Sequence, residues 1–237
     1  MPQEPLKIPV GGATLAAVLH IPEAGRKPWP CVVAAHGLSS SKNSDKYLQI
    51  GEEFNRTGIA VCRFDFRGCG ESEGLLSETT VAQRVADLRV VVELMRTHPS
   101  LSGRVALLGS SLGGYVALFV ANQDHRVKAV AAWATPANLD ELAERPDIVR
   151  DQALGDAFIA ELKQGRYLRA PVGTRYCLII HGDQDEVVPP AHARKLFQGA
   201  MNPRKLEMIG GGDHRLTNPD HRREAIRLSL DWIGRYL

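Results

Sequence analysis

The chain has 237 residues, 44% of them hydrophobic and 24% charged, proportions typical of a globular protein long enough to bury a large core. Its 29 basic and 27 acidic side chains leave a formal charge of +2, which gives no electrostatic footing for nucleic acid or a membrane surface. Met1 to Lys7 lack the charged-then-apolar pattern of a signal peptide, and no apolar run approaches the roughly 18 residues of a membrane span.

Residues 5–10 and 13–21 predict an antiparallel pair turned by Gly11-Gly12. Cys31 to Ala35 is a short unbroken apolar run suited to a strand buried on both faces, and it ends at the small-residue loop His36 to Ser41. A helix over 44–57 carries Tyr47, Leu48, Ile50 and Phe54 at helical spacing and stops at Gly58. Ile59 to Phe64 is the next strand, followed by the glycine-rich, charged loop Asp65 to Gly74. Thr80 is placed to cap a helix running through Val81, Val85, Leu88, Val91, Val92 and Met95, which must end before Pro99.

The strand Val105 to Leu108 then runs into Gly109-Ser110-Ser111-Leu112-Gly113, and a helix follows from Tyr115. Gly-x-Ser-x-Gly between a buried strand and a helix is the sequence form of a nucleophile elbow. Ser111 has glycine two residues to either side, whereas Ser110 has Leu108 and Leu112. Taken alone, the five residues also fit any tight βα turn in which Gly113 and Gly114 let helix and sheet approach.

After a strand over 126–133, residues 137–170 change character. They are charged, poor in β-branched residues, and hold two weak helical patterns, around 139–144 and 151–164, which predicts an inserted lid over about 137–175 in a single 1–237 domain. A strand over 176–180, a helix over 190–199, a strand over 205–209 and a terminal helix over 219–236 complete the chain. Strands alternating with helices predict an α/β fold, a mostly parallel sheet with helices on both faces. In such a sheet the site lies at the carboxyl ends of the strands, and every chemically suggestive loop here follows a strand. A serine hydroxyl needs an imidazole to take its proton and a carboxylate to orient that imidazole. Ser111, then Asp183 or Asp185, then His214 follow in that order. Cys31, Cys62 and Cys177 lie in or beside strands and read as buried thiols, consistent with a cytoplasmic location.

Five motifs in order carry a resemblance to the α/β-hydrolase superfamily. They are His36-Gly37, Asp65-Phe66-Arg67-Gly68-x-Gly70-x-Ser72, Gly109-x-Ser111-x-Gly113, His181-Gly182-x-x-Asp185-x-x-Val188-Pro189, and Asp213-His214. The resemblance implies the α/β-hydrolase fold, with Ser111 as nucleophile, His214 as general base and acid, and Asp185 as the carboxylate. Asp183 matches no acid position and is expected to shape the turn. The oxyanion would be met by the Leu112 N–H, at the positive end of its helix, and, by resemblance, by the Leu38 N–H. His36, Asp65 and Arg67 are expected to brace loops, and His181 to hold a hydrogen bond at a strand end. Cys69 departs from the superfamily pattern, in which histidine is common at that place.

The short insert is similar in place and size to that of small bacterial esterases related to cinnamoyl and feruloyl esterases. The expected activity is therefore a carboxylesterase acting on small or medium acyl esters, with a small-molecule ester as partner. No nucleic acid, membrane, metal or other cofactor is implied, and a homodimer is left open. The rivals are a thioesterase, an aminopeptidase-like serine peptidase using Glu141, Glu144, Asp147 or Asp156 at a substrate amine, and a catalytically silent binding protein.

Overall fold

Among the described residues, eight strands form one sheet. The computed structural model describes residues 2–23, 25 and 27–237, and the side chains of Pro146 and Ile148 lie outside that description. β1 (Gln3–Val10) and β2 (Ala13–His20) pair antiparallel around Gly11 and Gly12, whose φ of 52° and 80° the tight turn requires. β2 meets β4 (Ala60–Phe64) antiparallel. From β4 onward the sheet is parallel, through β3 (Trp29–Ala35), β5 (Leu101–Ser110), β6 (Val127–Trp133), β7 (Cys177–Gly182) and β8 (Arg204–Ile209).

The period-2 alternation of the buried strands sends neighbouring side chains to two separate cores. Cys31, Val33 and Ala35 pack with α2 (Val81–Thr97), α3 (Leu112–Gln123) and α7 (Ala191–Gly199), while Val32 and Ala34 pack with α1 (Asp45–Arg56) and α8 (Pro219–Ile233). All six apolar positions read as the buried stripe of α2 are inside. Thr80 caps that helix as expected, its Oγ1 accepting from the Gln83 N–H at 3.0 Å, a contact worth about 1 kcal/mol.

The segment after β6 holds three helices rather than two: α4 (Asp140–Glu144), α5 (Pro146–Asp151) and α6 (Asp156–Lys163). The expected 151–164 helix begins later because Ala153 is left-handed (φ 58°) and Gly155 is extended, which breaks the helical run. The ends of this segment are tied together, Leu139 N–H donating to Leu168 O at 2.8 Å and Ala170 N–H to Ala137 O at 2.9 Å. Tyr115 of α3 then donates its hydroxyl to Tyr167 O at 2.8 Å, which docks the segment on the helix that follows the elbow. Among the described residues no helix is long and apolar enough to cross a membrane.

Candidate active site

Ser111 sits between β5 and α3 with φ 55° and ψ −128°, a backbone conformation that a non-glycine residue keeps only where its surroundings over-determine it. Those surroundings are close. A Cβ on Gly109 would stand 2.5 Å from Gly113 O, and one on Gly113 would stand 2.2 Å from Ala35 O. The two motif glycines therefore let α3 start hard against β5 and β3. The Ser111 N–H is held by Trp133 O at 2.8 Å, and the side chain is lifted off the sheet edge.

His214 reaches this hydroxyl, with Nε2 3.2 Å from Ser111 Oγ. Its Nδ1 lies 2.8 Å from Asp185 Oδ2 and 3.1 Å from Oδ1. The Asp185 carboxylate is buried and also accepts the Val187 and Val188 N–H groups at 2.9 and 2.8 Å. Burial alone would raise its pKa; hydrogen bonds from His181, His214 and Val188 outweigh that and hold the carboxyl well below the usual carboxylate range. The carboxylate is thus fixed in its charged form, ready to face an imidazolium.

The loops carrying Asp185 and His214 are joined through their backbones. Gln184 N–H donates to Gly212 O at 3.1 Å, and a Cβ on Gly182 would meet that same oxygen at 2.1 Å. Asp183 accepts the Gly211 N–H at 2.7 Å, so this carboxylate shapes the junction and Asp185 is the one against His214. Asp213 takes the Thr217 N–H and hydroxyl at 2.8 and 2.7 Å, which orders the turn just past the histidine.

Leu38 follows Gly37, where a Cβ would lie 3.2 Å from Ser111 Cβ. The loop after β3 thus passes directly beside the serine. Among the described residues neither the Leu38 N–H nor the Leu112 N–H donates to a turn, cap or side-chain acceptor, so both remain available to an incoming oxygen. His36 bridges two loops: its Nδ1 is 2.7 Å from Gly37 O and its Nε2 accepts the Phe66 N–H at 3.2 Å. Burial, then the charge of Arg84, lower its pKa to about 4, which keeps the ring neutral for that bridge.

Asp65 and Arg67 face inward. Asp65 accepts from the Lys42 N–H at 2.6 Å, the Lys42 ammonium at 2.8 Å and the Glu71 N–H at 3.0 Å, and Arg67 pairs with Asp87 at 2.7 Å. Gly70 is required because a Cβ there would lie 2.2 Å from Asp65 Oδ2. Cys69 is buried against Arg84, 3.3 Å from its guanidinium, and burial raises its thiol pKa.

Several residues that hold the site and its surroundings carry no signal in the sequence. Lys46 donates to Ser110 Oγ at 3.0 Å, although a lysine in an amphipathic helix gives no signal of an inward ammonium. His192 accepts the Ala137 N–H at 3.0 Å, anchoring the start of the insert, and Glu161 of α6 accepts two N–H groups at the start of α2. His20 is buried and accepts from Arg63 Nε at 2.7 Å. Glu141, Glu144 and Asp147 lie in or beside α4 and α5 with exposed side chains, Asp147 paired with Arg145 and Asp156 with Arg150. Among the described residues no group of three or more His, Cys, Asp or Glu side chains is placed to hold a metal ion.

An eight-stranded, mostly parallel sheet with a strained serine elbow, and with an Asp-held histidine on the neighbouring loops, defines an α/β-hydrolase of the serine hydrolase type. Residues 26–158, more than half the chain, match the Hydrolase_4 family, described as serine aminopeptidase, S33, and the chain belongs to that family. The match includes the elbow and ends before the loops of Asp185 and His214.

Among curated relatives, the uncharacterized protein YfhR of Escherichia coli O157:H7 is 28% identical over 186 residues, 77% of this chain and 62% of that protein. The chain thus spans a little under two thirds of the length of that relative. The mitochondrial palmitoyl-protein thioesterase ABHD10 of Mus musculus is 26% identical over 212 residues, 79% of this chain and 69% of that protein. Two solved structures share the fold at a TM-score of 0.79. Est1E from Butyrivibrio proteoclasticus with ferulic acid bound is 20% identical, covering 97% of this chain and 99% of its own. Mouse alpha/beta hydrolase domain-containing protein 10 is 23% identical, covering 98% and 99%.

Proposed function

We propose that the chain is a carboxylesterase-type serine hydrolase that cleaves esters of small or medium acyl groups through an acyl-enzyme on Ser111. The observation that carries this reading is the continuous relay from Ser111 Oγ through His214 to Asp185, at 3.2 and 2.8 Å. His214 Nε2 takes the serine proton as Oγ bonds to the ester carbon. The former carbonyl oxygen gains the negative charge and meets the Leu38 and Leu112 N–H groups. When the carbon–oxygen bond of the alcohol breaks, the imidazolium returns its proton to the leaving alkoxide. Water, activated by the same imidazole, then releases the acid and restores Ser111. Asp185 keeps the Nδ1–H side of the ring oriented throughout, so Nε2 is the atom that exchanges the proton.

The segment 137–175 acts in this reading as a lid over a single hydrolase domain. The fold shared with Est1E, solved with ferulic acid bound, brings aromatic acyl groups into the set of candidates. A second reading, thioester cleavage, is favoured by the similarity to a relative named as a palmitoyl-protein thioesterase. Both use the same chemistry and differ only in the leaving atom. The family description as aminopeptidase keeps aminoacyl amides in the test set.

The experiment is a profile of turnover on p-nitrophenyl esters, hydroxycinnamoyl esters, acyl thioesters and aminoacyl amides, together with fluorophosphonate labelling. Ester turnover and a single labelled residue, Ser111, are expected. Labelling at another residue, or undiminished turnover in Ser111→Ala, removes the nucleophile assignment. A thioester rate far above every ester rate replaces the first reading with the second.

A further inference from the structure

Ser111 presents its hydroxyl to one side of the elbow, and the residue before it points to the other. Ser110 is 4% exposed and faces α1 and α8, the side of the sheet away from α3. There Lys46 of α1 brings its ammonium to 3.0 Å from Ser110 Oγ and 6.0 Å from the centre of the Trp133 ring. The next residue, Tyr47, donates its hydroxyl to Ala35 O at 3.0 Å. Two adjacent side chains of α1 therefore hold the ends of both strands that open onto the site, β5 before Ser111 and β3 before His36 and Gly37.

We propose that Lys46 is a positioning residue of this site: its ammonium holds Ser110 from behind, fixes the strained peptide that presents Ser111, and keeps a positive charge at the root of the elbow. The inference rests on the hydrolase reading above.

A packing role alone does not account for a cation here. Lys46 is half-buried, so an ammonium that meets Ser110 Oγ beside Trp133 gives up part of its hydration, a cost that an apolar side chain of equal length would not carry. The groups that face it come from every neighbouring element. Arg222 of α8 and Arg215 of the histidine loop oppose its charge, whereas Asp213 of that loop and Asp185 of the loop after β7 favour it. Ser110 of β5 contributes a neutral hydroxyl. Burial is the largest influence and, with Arg222, brings the Lys46 pKa down to about 8. A charge kept at a stability cost beside reacting groups is the pattern of a functional residue.

The test compares wild type with Lys46→Met, Lys46→Arg and Ser110→Ala, measuring kcat and KM on a p-nitrophenyl ester against pH, with urea unfolding in parallel. Lys46→Met should lower kcat about tenfold to a hundredfold, as small misplacements of a nucleophile do, with KM within about twofold and an unfolding midpoint equal to or above wild type. The wild-type rate should fall above about pH 8 as Lys46 loses its proton. That fall should vanish in Lys46→Met and move beyond about pH 10 in Lys46→Arg, whose guanidinium stays charged. Ser110→Ala, which removes the acceptor and keeps the cation, should lower kcat by itself, and it serves if Lys46→Arg does not fold. Wild-type kcat and an unchanged basic limb in Lys46→Met overturn the inference, as does a rate loss matched by lost folded protein. If wild type is neither active nor labelled at Ser111, the hydrolase reading itself falls and the role of Lys46 with it; an active, labelled wild type beside an unaltered Lys46→Met removes the role of Lys46 alone.

Discussion

His181 Nε2 lies 3.1 Å from Asp185 Oδ2, the same oxygen that meets His214 Nδ1 at 2.8 Å. The Nε2–H is shared with Val188 O at 2.8 Å, so one buried imidazole pins both the carboxylate and the turn that follows it. Two further N–H groups, from Val187 and Val188, complete the set of donors around Asp185. A carboxylate held this tightly cannot rotate away from His214. His181→Phe keeps a ring in the site and removes the donor. A hydrogen bond to a charged group is worth about 1.5–3 kcal/mol, and about 1.4 kcal/mol is tenfold in rate. The expected result is a kcat about tenfold lower at constant KM. Steady-state kinetics on a chromogenic ester decides it, and a normal kcat would mean the other donors suffice.

The two aspartates of this loop separate by the same logic. Asp185→Asn presents an amide where the imidazole needs a negative charge, and kcat should fall by about a thousandfold or more. The Asp183 carboxylate meets the Gly211 N–H and not His214, so Asp183→Asn should cost a few-fold at most, through the shape of the junction. Equal losses in the two variants would contradict the contact seen between Asp185 and His214.

The elbow glycines predict a stability effect as well as a chemical one. A Cβ on Gly113 would lie 2.2 Å from Ala35 O and 2.4 Å from His36 O. Both atoms are backbone and cannot swing aside, so Gly113→Ala must push α3 off the sheet. A loss of about 3 kcal/mol is expected, or about 6–12 °C in Tm for a chain of this size. Gly165 is the control: its φ is 77° but nothing lies within 4 Å. There alanine should cost only about 1–2 kcal/mol, the penalty of the left-handed backbone. Thermal unfolding of the two variants tests the contrast.

Much of this site was readable because its chemistry depends on backbone geometry that only certain residues permit. Gly109 and Gly113 mark the elbow for the steric reason just given, Thr80 marks a helix start by its hydroxyl, and the uninterrupted apolar runs mark strands buried on both faces. What escaped the sequence depends on side chains meeting across distant elements. Nothing in the sequence singles out Lys46 or Glu161, yet one points at Ser110 and the other at the start of α2. The extra helix α5 escaped because its limits are set by Ala153 at φ 58°, a residue with no turn preference of its own. β5 begins at Leu101, ahead of the apolar run, because Gly103 at φ 75° and a register shift near Trp29 let polar residues join the strand.

Glu161 makes a prediction about how the insert is held. Its carboxylate accepts the Val81 N–H at 2.6 Å and the Ala82 N–H at 2.9 Å, two of the donors left free at the start of α2. The negative charge also suits the positive end of that helix. Glu161→Ala should cost about 1–2 kcal/mol, the range of a lost helix cap, and should loosen α6 from α2. Urea unfolding gives the first number. Faster proteolysis within 140–164, at a protease level that leaves wild type intact, reports the second. An unchanged cleavage pattern would show that other contacts hold the insert.

Acid stability follows from two histidines that the fold keeps neutral. His20 is 1% exposed; burial, then the charge of Arg63, bring its pKa from 6.5 to about 4. His36 is 0% exposed and is lowered to about 4 in the same way, with Arg84 as the second cause. In the unfolded chain both titrate near about 6.5, so between that pH and about 4 the unfolded state binds protons that the folded state refuses. The stability conferred by each neutral ring is therefore fully present above about 6.5 and declines as pH falls toward the folded value, by at most about 3 kcal/mol per ring. His20→Gln offers an amide oxygen to the Arg63 N–H that His20 Nε2 now accepts, and it does not titrate. Its urea midpoint should fall less between pH 7 and pH 4.5 than that of wild type, whatever its stability at neutral pH. If the two midpoints fall in parallel, His20 is protonated in the folded protein, and the Arg63 contact must open to allow it.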